Sequence, residues 1–139
     1  MGLQTEKPWI VIMTHGKFGE ELKNSAQMIL GNLEHVYSLS LLEEMDPTDL
    51  TLQVKELMEN APPNSIILTD LFGGTPSNVA AIFSGRFPVI SGVNLPMIIE
   101  AEMLRIQENY SEIEKRVREV GVDGIKDISE LMKQREARK

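Results

Sequence analysis

The sequence contains no cysteine. That excludes structural disulfides, thiolate nucleophiles and cysteine-ligated zinc or iron–sulfur centres, and it fits a reducing compartment. It has only two histidines and no H-E-x-x-H pattern, so neither a metal nor a cofactor is expected, although Asp and Glu leave a catalytic zinc formally open. Walker A and G-x-G-x-x-G patterns are missing, which leaves ATP and dinucleotides without their usual cradle. A serine-nucleophile hydrolase lacks its G-x-S-x-G elbow. Positive charge is also scarce. Lys and Arg number 14 against 21 Asp and Glu, for a net charge of -7. A phosphate-backbone binder normally carries the opposite excess, so no nucleic acid is expected as a partner. The basic tail from Lys133 to Lys139 is short and contains Glu136. Finally, the first eight residues lack the apolar core of a signal peptide, and no run approaches a bilayer-spanning length. A soluble, cytoplasmic protein is the expectation.

What is present suits one compact domain over 1–139, with a core from about 9 to 128 and a basic tail over 129–139. A chain of 139 residues buries roughly two-thirds of the surface it exposes when unfolded. Trp9 to Met13 (WIVIM) is apolar on both faces, the pattern of a central parallel strand covered by helices. Helical spacing follows from Glu20 to Leu30, with Leu22, Ala26, Ile29 and Leu30 on one side and Gly31 as the stop. A strand is predicted over His35 to Leu39. Asp46-Pro47 then reads as a cap and first-turn proline before Leu50, Val54, Leu57 and Met58. Ser65 to Thr69 is the third strand. Thr75-Pro76 reads as a capping hydroxyl and helix start, with Val79, Ala80, Ile82 and Phe83 as its packing face. Pro88 to Ser91 is the fourth strand. Helices are predicted from Asn94-Leu95-Pro96 through Ile106 and over Ile113 to Val120, and Gly124 to Ile128 is a candidate edge strand. The alternation predicts an α/β fold of three layers: an open, mostly parallel sheet flanked by helices, with an antiparallel C-terminal edge strand as an optional addition.

Open parallel sheets bind ligands beyond the carboxyl ends of their strands. Three polar clusters fall at that edge: Thr14-His15-Gly16, then Asp70 with Gly73-Gly74-Thr75, then Ser91-Gly92 with Asn94. His15 is the central candidate. An imidazole with an ordinary pKa of about 6.5 keeps a free ring nitrogen near neutral pH, and Gly16 leaves access to it. Alternatively, the ring only ties down a loop. Asp70 either holds the non-reacting histidine nitrogen or serves as a turn residue. Gly73 and Gly74 permit a tight turn or close backbone approach to a phosphate-sized ligand. Thr75 caps the helix, offers its hydroxyl to phosphate, or both. Thr14, Lys17, Ser91 and Asn94 are secondary pocket candidates, each with a local structural alternative, and His35 reads as a surface residue at a strand entry.

Taken together, VIMTHG at 11–16, LTDLFGGTPSN at 68–78 and SGVNLPM at 91–97 resemble the IIA components of the mannose/fructose/sorbose family of the bacterial phosphoenolpyruvate-dependent sugar phosphotransferase system. The resemblance covers Trp9 to about Ile106. It implies a phosphotransferase component that accepts a phosphoryl group from phospho-HPr on His15 and passes it to a IIB component. It further implies Asp70 as the histidine's hydrogen-bond partner and Thr75 at the phosphate; Thr14, Gly16, Gly73 and Gly74 join Thr75 as phosphate-binding candidates from their place at the strand ends alone. Members are commonly homodimers, some exchanging a C-terminal strand to which 124–128 is similar. The implied partners are HPr, a separate IIB protein and, indirectly, membrane IIC and IID subunits. Two departures stand out: Phe72 where the family often has tryptophan, and Thr75 where it often has serine. An aromatic ring and a hydroxyl are retained in each case. A sensor of the same pathway and a small hydrolase are the competing readings, and the transported sugar is not legible in this chain.

Overall fold

The computed structural model describes residues 6–138; residues 1–5 and 139 of the expected domain lie outside the described residues. Four strands form one sheet: β1 (Ile10–His15), β2 (Val36–Leu41), β3 (Ile66–Thr69) and β4 (Val89–Ser91). Their spatial order is β2-β1-β3-β4, and every pairing is parallel. Around them lie α1 (Phe18–Leu30), α2 (Pro47–Met58), α3 (Thr75–Ala81), α4 (Leu95–Ile106), a 3-10 turn over Tyr110–Glu112, α5 (Ile113–Asp123) and α6 (Ile128–Ala137).

The apolar run of β1 explains the layering. Side chains alternate across a strand. Ile10 and Ile12 therefore join Leu22 and Ala26 of α1, Met97, Ile98 and Ala101 of α4, and Val117 of α5 on one face. Val11 and Met13 meet Leu50, Val54 and Met58 of α2 and Val79 and Ala80 of α3 on the other. A strand buried on both sides has no room for the polar alternation of a half-exposed one. The result is the expected three-layer α/β sandwich.

Several element starts follow from local chemistry. The Asp46 side chain accepts a hydrogen bond from Asp49 N, the Asp49 side chain accepts one from Asp46 N, and Pro47 fills the first turn of α2. Asn94 caps α4 by accepting from Met97 N. Gly31, at φ 83°, closes α1 as expected. Deep in the fold, Arg105 is fully buried. Its guanidinium bonds Glu102 and donates to the carbonyls of Pro8 and His35. It thereby joins α4 to the chain entering β1 and to the chain entering β2.

Four expectations need correction. Thr75 does not cap α3: Gly74 occupies the cap position, and Thr75 and Pro76 are the first two helical residues. The proline, whose fixed φ suits either of the first helical positions, moved the start back by one. Ile82 and Ile29 lie outside their packing faces and are mostly exposed. Residues 124–127 form no strand. Gly124 N and Ile125 N bond back to α5 carbonyls, and Asp127 accepts from Glu130 N to start α6. An Asx-type cap competes directly with extended pairing. The antiparallel edge strand is thus absent among the described residues, and the segment read as a basic tail is helical from Ile128 to Ala137.

Candidate functional site

Strand order reverses between β1 and β3: from β1 the chain moves outward to β2, and from β3 outward to β4. The loops leaving these two strands diverge, opening the crevice where such sheets bind ligands. Met13 pairs with Thr69, so His15 and Asp70 emerge side by side although 55 positions separate them in sequence.

Their contact is specific. Asp70 Oδ2 accepts from the backbone N–H of His15 at 2.8 Å and lies 2.8 Å from the ring Nδ1. Asp70 Oδ1 accepts from Leu71 N at 3.0 Å. Partial burial works to raise the Asp70 pKa. The His15 backbone and ring hydrogen bonds, with the ring's charge, outweigh it and hold the carboxyl below its ordinary value of 3.8. An ionised carboxylate only accepts hydrogen bonds, so Nδ1 carries a proton, and in the neutral form of the ring Nε2 keeps its lone pair.

Nε2 faces the start of α3. A Cβ placed on Gly74 would lie 2.9 Å from His15 Cε1 and 3.5 Å from Nε2. Only glycine lets the ring rest against this backbone. Gly73 turns the loop at φ 89° and Gly16 leaves the histidine at φ 55°, both in the left-handed region that side chains disfavour. Gly16 N is fixed by donating to Leu41 O at 2.8 Å. The His15 side chain is 48% exposed. It borders an open cleft of about 500 Å³ shared with Gly16, Leu41, Leu42, Glu43 and Met45.

The remaining candidates divide. Thr75 stands at the first turn of α3 beside Gly74. Thr14 is fully buried, its Oγ1 accepting from Gly19 N at 2.8 Å. It shapes the turn into α1 beneath the site and does not face an entering ligand. Asn94 is likewise committed, to Met97 N and Gly121 O. Ser91 borders a separate cleft of about 220 Å³ with Phe72, Gly73, Ser77 and Asn78. Lys17 is exposed at the start of α1. His35 sits at the far end of the sheet, stacked on Trp9 with Nδ1 3.1 Å from the Tyr37 hydroxyl. Sequence reasoning missed Thr69 and Ser77, whose hydroxyls lie 2.6 Å apart beneath the 70–74 loop. Nothing in the TPSN stretch marks Ser77 as different from an ordinary helical serine.

The depressed Asp70 pKa predicts a pH dependence of stability. A carboxyl lowered in the folded state stabilises fully above its unfolded value, near 3.8, and loses that contribution as pH falls through the folded value. Urea midpoints between about pH 2 and pH 6 should therefore fall more steeply with acid for the wild type than for Asp70→Asn. Parallel curves would show that the contact contributes nothing.

Residues 9–118 match the family model described as PTS system fructose IIA component. Among curated proteins, the chain is 30% identical over 123 residues to the PTS system mannose-specific EIIAB component of Escherichia coli (strain K12). That alignment covers 84% of this chain and 38% of the relative, so the chain spans well under half of that protein's length. It is 32% identical over 101 residues to the PTS system fructose-specific EIIA component of Bacillus subtilis (strain 168), covering 69% of each. Among solved structures, the phosphotransferase system component EIIA from Streptococcus agalactiae superposes with a TM-score of 0.81 at 30% identity, covering 87% of this chain and 97% of that one.

Proposed function

The chain belongs to the IIA family of the mannose/fructose/sorbose phosphotransferase systems, and from that premise we propose that it is a phosphoryl carrier whose acceptor atom is Nε2 of His15. The observation that carries this reading is the Nδ1–Asp70 contact, which commits one ring nitrogen and leaves the other beside the Gly74 backbone.

Transfer proceeds by in-line attack. The Nε2 lone pair bonds phosphorus while the bond from phosphorus to the donor protein breaks, and the donor departs with that electron pair. The His15 ring gains positive charge, which the Asp70 carboxylate beside Nδ1 balances without taking the proton. Charge on the phosphoryl oxygens meets the backbone N–H groups of Gly74 and Thr75, with the Thr75 hydroxyl alongside; the first N–H groups of a helix have no partner within it. Delivery to a IIB acceptor is the same displacement in reverse. Phospho-HPr is the donor, and the IIC and IID membrane subunits are reached only through IIB. Among the described residues no helix is long and apolar enough to cross a membrane. Exposed Phe72, Leu71 and Leu42 beside the site supply apolar surface for protein partners. The carrier acts in the cytoplasm as a homodimer; the sheet has two edge strands, β2 and β4, each paired on one side only, and such edges call for cover.

The test is incubation with phospho-HPr, without ATP. Each chain should gain one acid-labile phosphoryl group and lose it on addition of a IIB protein. Free sugar should leave the melting temperature unchanged, because the carrier meets proteins and not substrate. Absence of uptake, or a saturable sugar-induced shift, would overturn the reading.

A further inference from the structure

Beneath the 70–74 loop lies a short chain of hydroxyls with no part in the chemistry described above. Thr69, the last residue of β3, is fully buried. Its Oγ1 lies 2.6 Å from Ser77 Oγ, and Ser77 Oγ donates to the carbonyl of Leu71. A hydroxyl has one proton. With Ser77's proton committed to Leu71, Thr69 must donate to Ser77, which fixes the direction of the chain: Thr69 to Ser77 to Leu71.

Leu71 is thus held at both of its backbone groups. Its carbonyl accepts from Ser77, and its N–H donates to Asp70 Oδ1. The other carboxylate oxygen, Oδ2, is the one that meets His15 N and Nδ1. Rotation of the Asp70 carboxylate about its side-chain bonds would break the Leu71 contact together with both His15 contacts. The loop between Asp70 and Thr75 contains two glycines, one at positive φ, and has little rigidity of its own. We propose that Ser77 is a positioning residue for phosphoryl transfer. By fixing Leu71 it holds Asp70 in the rotamer that keeps the His15 proton on Nδ1 and Nε2 unprotonated. The proposal rests on His15 as the acceptor for its kinetic part only; the tautomer claim stands on the geometry alone.

Two readouts on one set of variants test it. In wild type, nitrogen NMR of ¹⁵N-labelled histidine should show neutral His15 almost wholly as the Nδ1–H form. Ser77→Ala should give a mixture of the two tautomers. Phosphoryl uptake should slow about tenfold at saturating donor, with the donor KM unchanged, the low end of the roughly 10–100-fold lost when a partner that orients a metal-bound histidine is removed. Ser77→Thr, which keeps the hydroxyl, should restore both. If Ser77→Ala does not fold, Ser77→Cys carries the test, because its thiol fills similar space and donates only weakly. A folded Ser77→Ala, or Ser77→Cys in its place, with wild-type tautomer and rate would overturn the proposal. Wild-type protein that takes up no phosphoryl group would overturn the carrier function, and the tautomer ratio would still decide the role of Ser77.

Discussion

His15→Ala should take up no phosphoryl group at all, while its unfolding free energy from urea titration stays within about 1 kcal/mol of wild type, as expected for a substitution away from the core. Loss of function is complete because the other histidine of the chain is out of reach. His35 O accepts from Ile10 N, at the opening of the strand that ends in His15. At about 3.3 Å per residue, roughly 16 Å separates the two ends. The His35 ring is moreover stacked on Trp9 and bonded to Tyr37. A donor seated on His15 cannot reach it. Folding survives because the lost side chain is half exposed and the two backbone N–H groups that serve Asp70 remain. Peptide mapping under alkaline conditions, where phosphohistidine persists, reads the outcome. An acid-labile phosphoryl group on His35 of the variant would refute the assignment.

Asp70→Asn should still accept a phosphoryl group, but about 100-fold more slowly, which corresponds to roughly 2.7 kcal/mol of transition-state stabilisation. Two losses combine. The carboxylate accepts from three N–H groups, two on Oδ2 and one on Oδ1. An amide has one oxygen, so its NH2 must face either Leu71 N–H or the His15 pair, and a donor then opposes a donor. The second loss is charge, because the imidazolium formed as phosphorus bonds Nε2 no longer has a counter-ion. Rapid-quench rates at saturating phospho-HPr measure the combined effect. A rate within threefold of wild type would reduce Asp70 to a loop residue.

The sequence makes the strand cores legible for a simple reason. Val11 and Met13 face one helical layer and Ile10 and Ile12 the other, so the run must be apolar throughout. The caps at Asp46 and Asn94 were equally readable, since each pairs a short polar side chain with a proline one or two positions later. Errors arose where one residue could satisfy two roles. Thr75 beside Pro76 matches a cap, yet Gly74 takes that place and leaves the hydroxyl at the first helical turn. Residues 124–128 have an extended-looking pattern, but Asp127 caps a helix that local sequence alone ranks no higher than a strand. Thr14 reads as a site residue from its neighbour, whereas burial assigns its hydroxyl to Gly19. The Thr69–Ser77 contact was invisible because it depends on how α3 folds back over the end of β3.

The 55-position interval between His15 and Asp70 has a consequence during synthesis. A chain leaving the ribosome exposes His15 early, but β1 cannot pair with β3 until residues 66–69 have also emerged. Before then the imidazole has no carboxylate to select its tautomer and no Gly74 backbone against which to rest. Unfinished chains therefore offer phosphorylated donors a free histidine side chain and not an assembled acceptor. Competence arises only once the central strands have closed, so partly made carriers should neither drain the phosphoryl pool nor hold a phosphoryl group they cannot pass on.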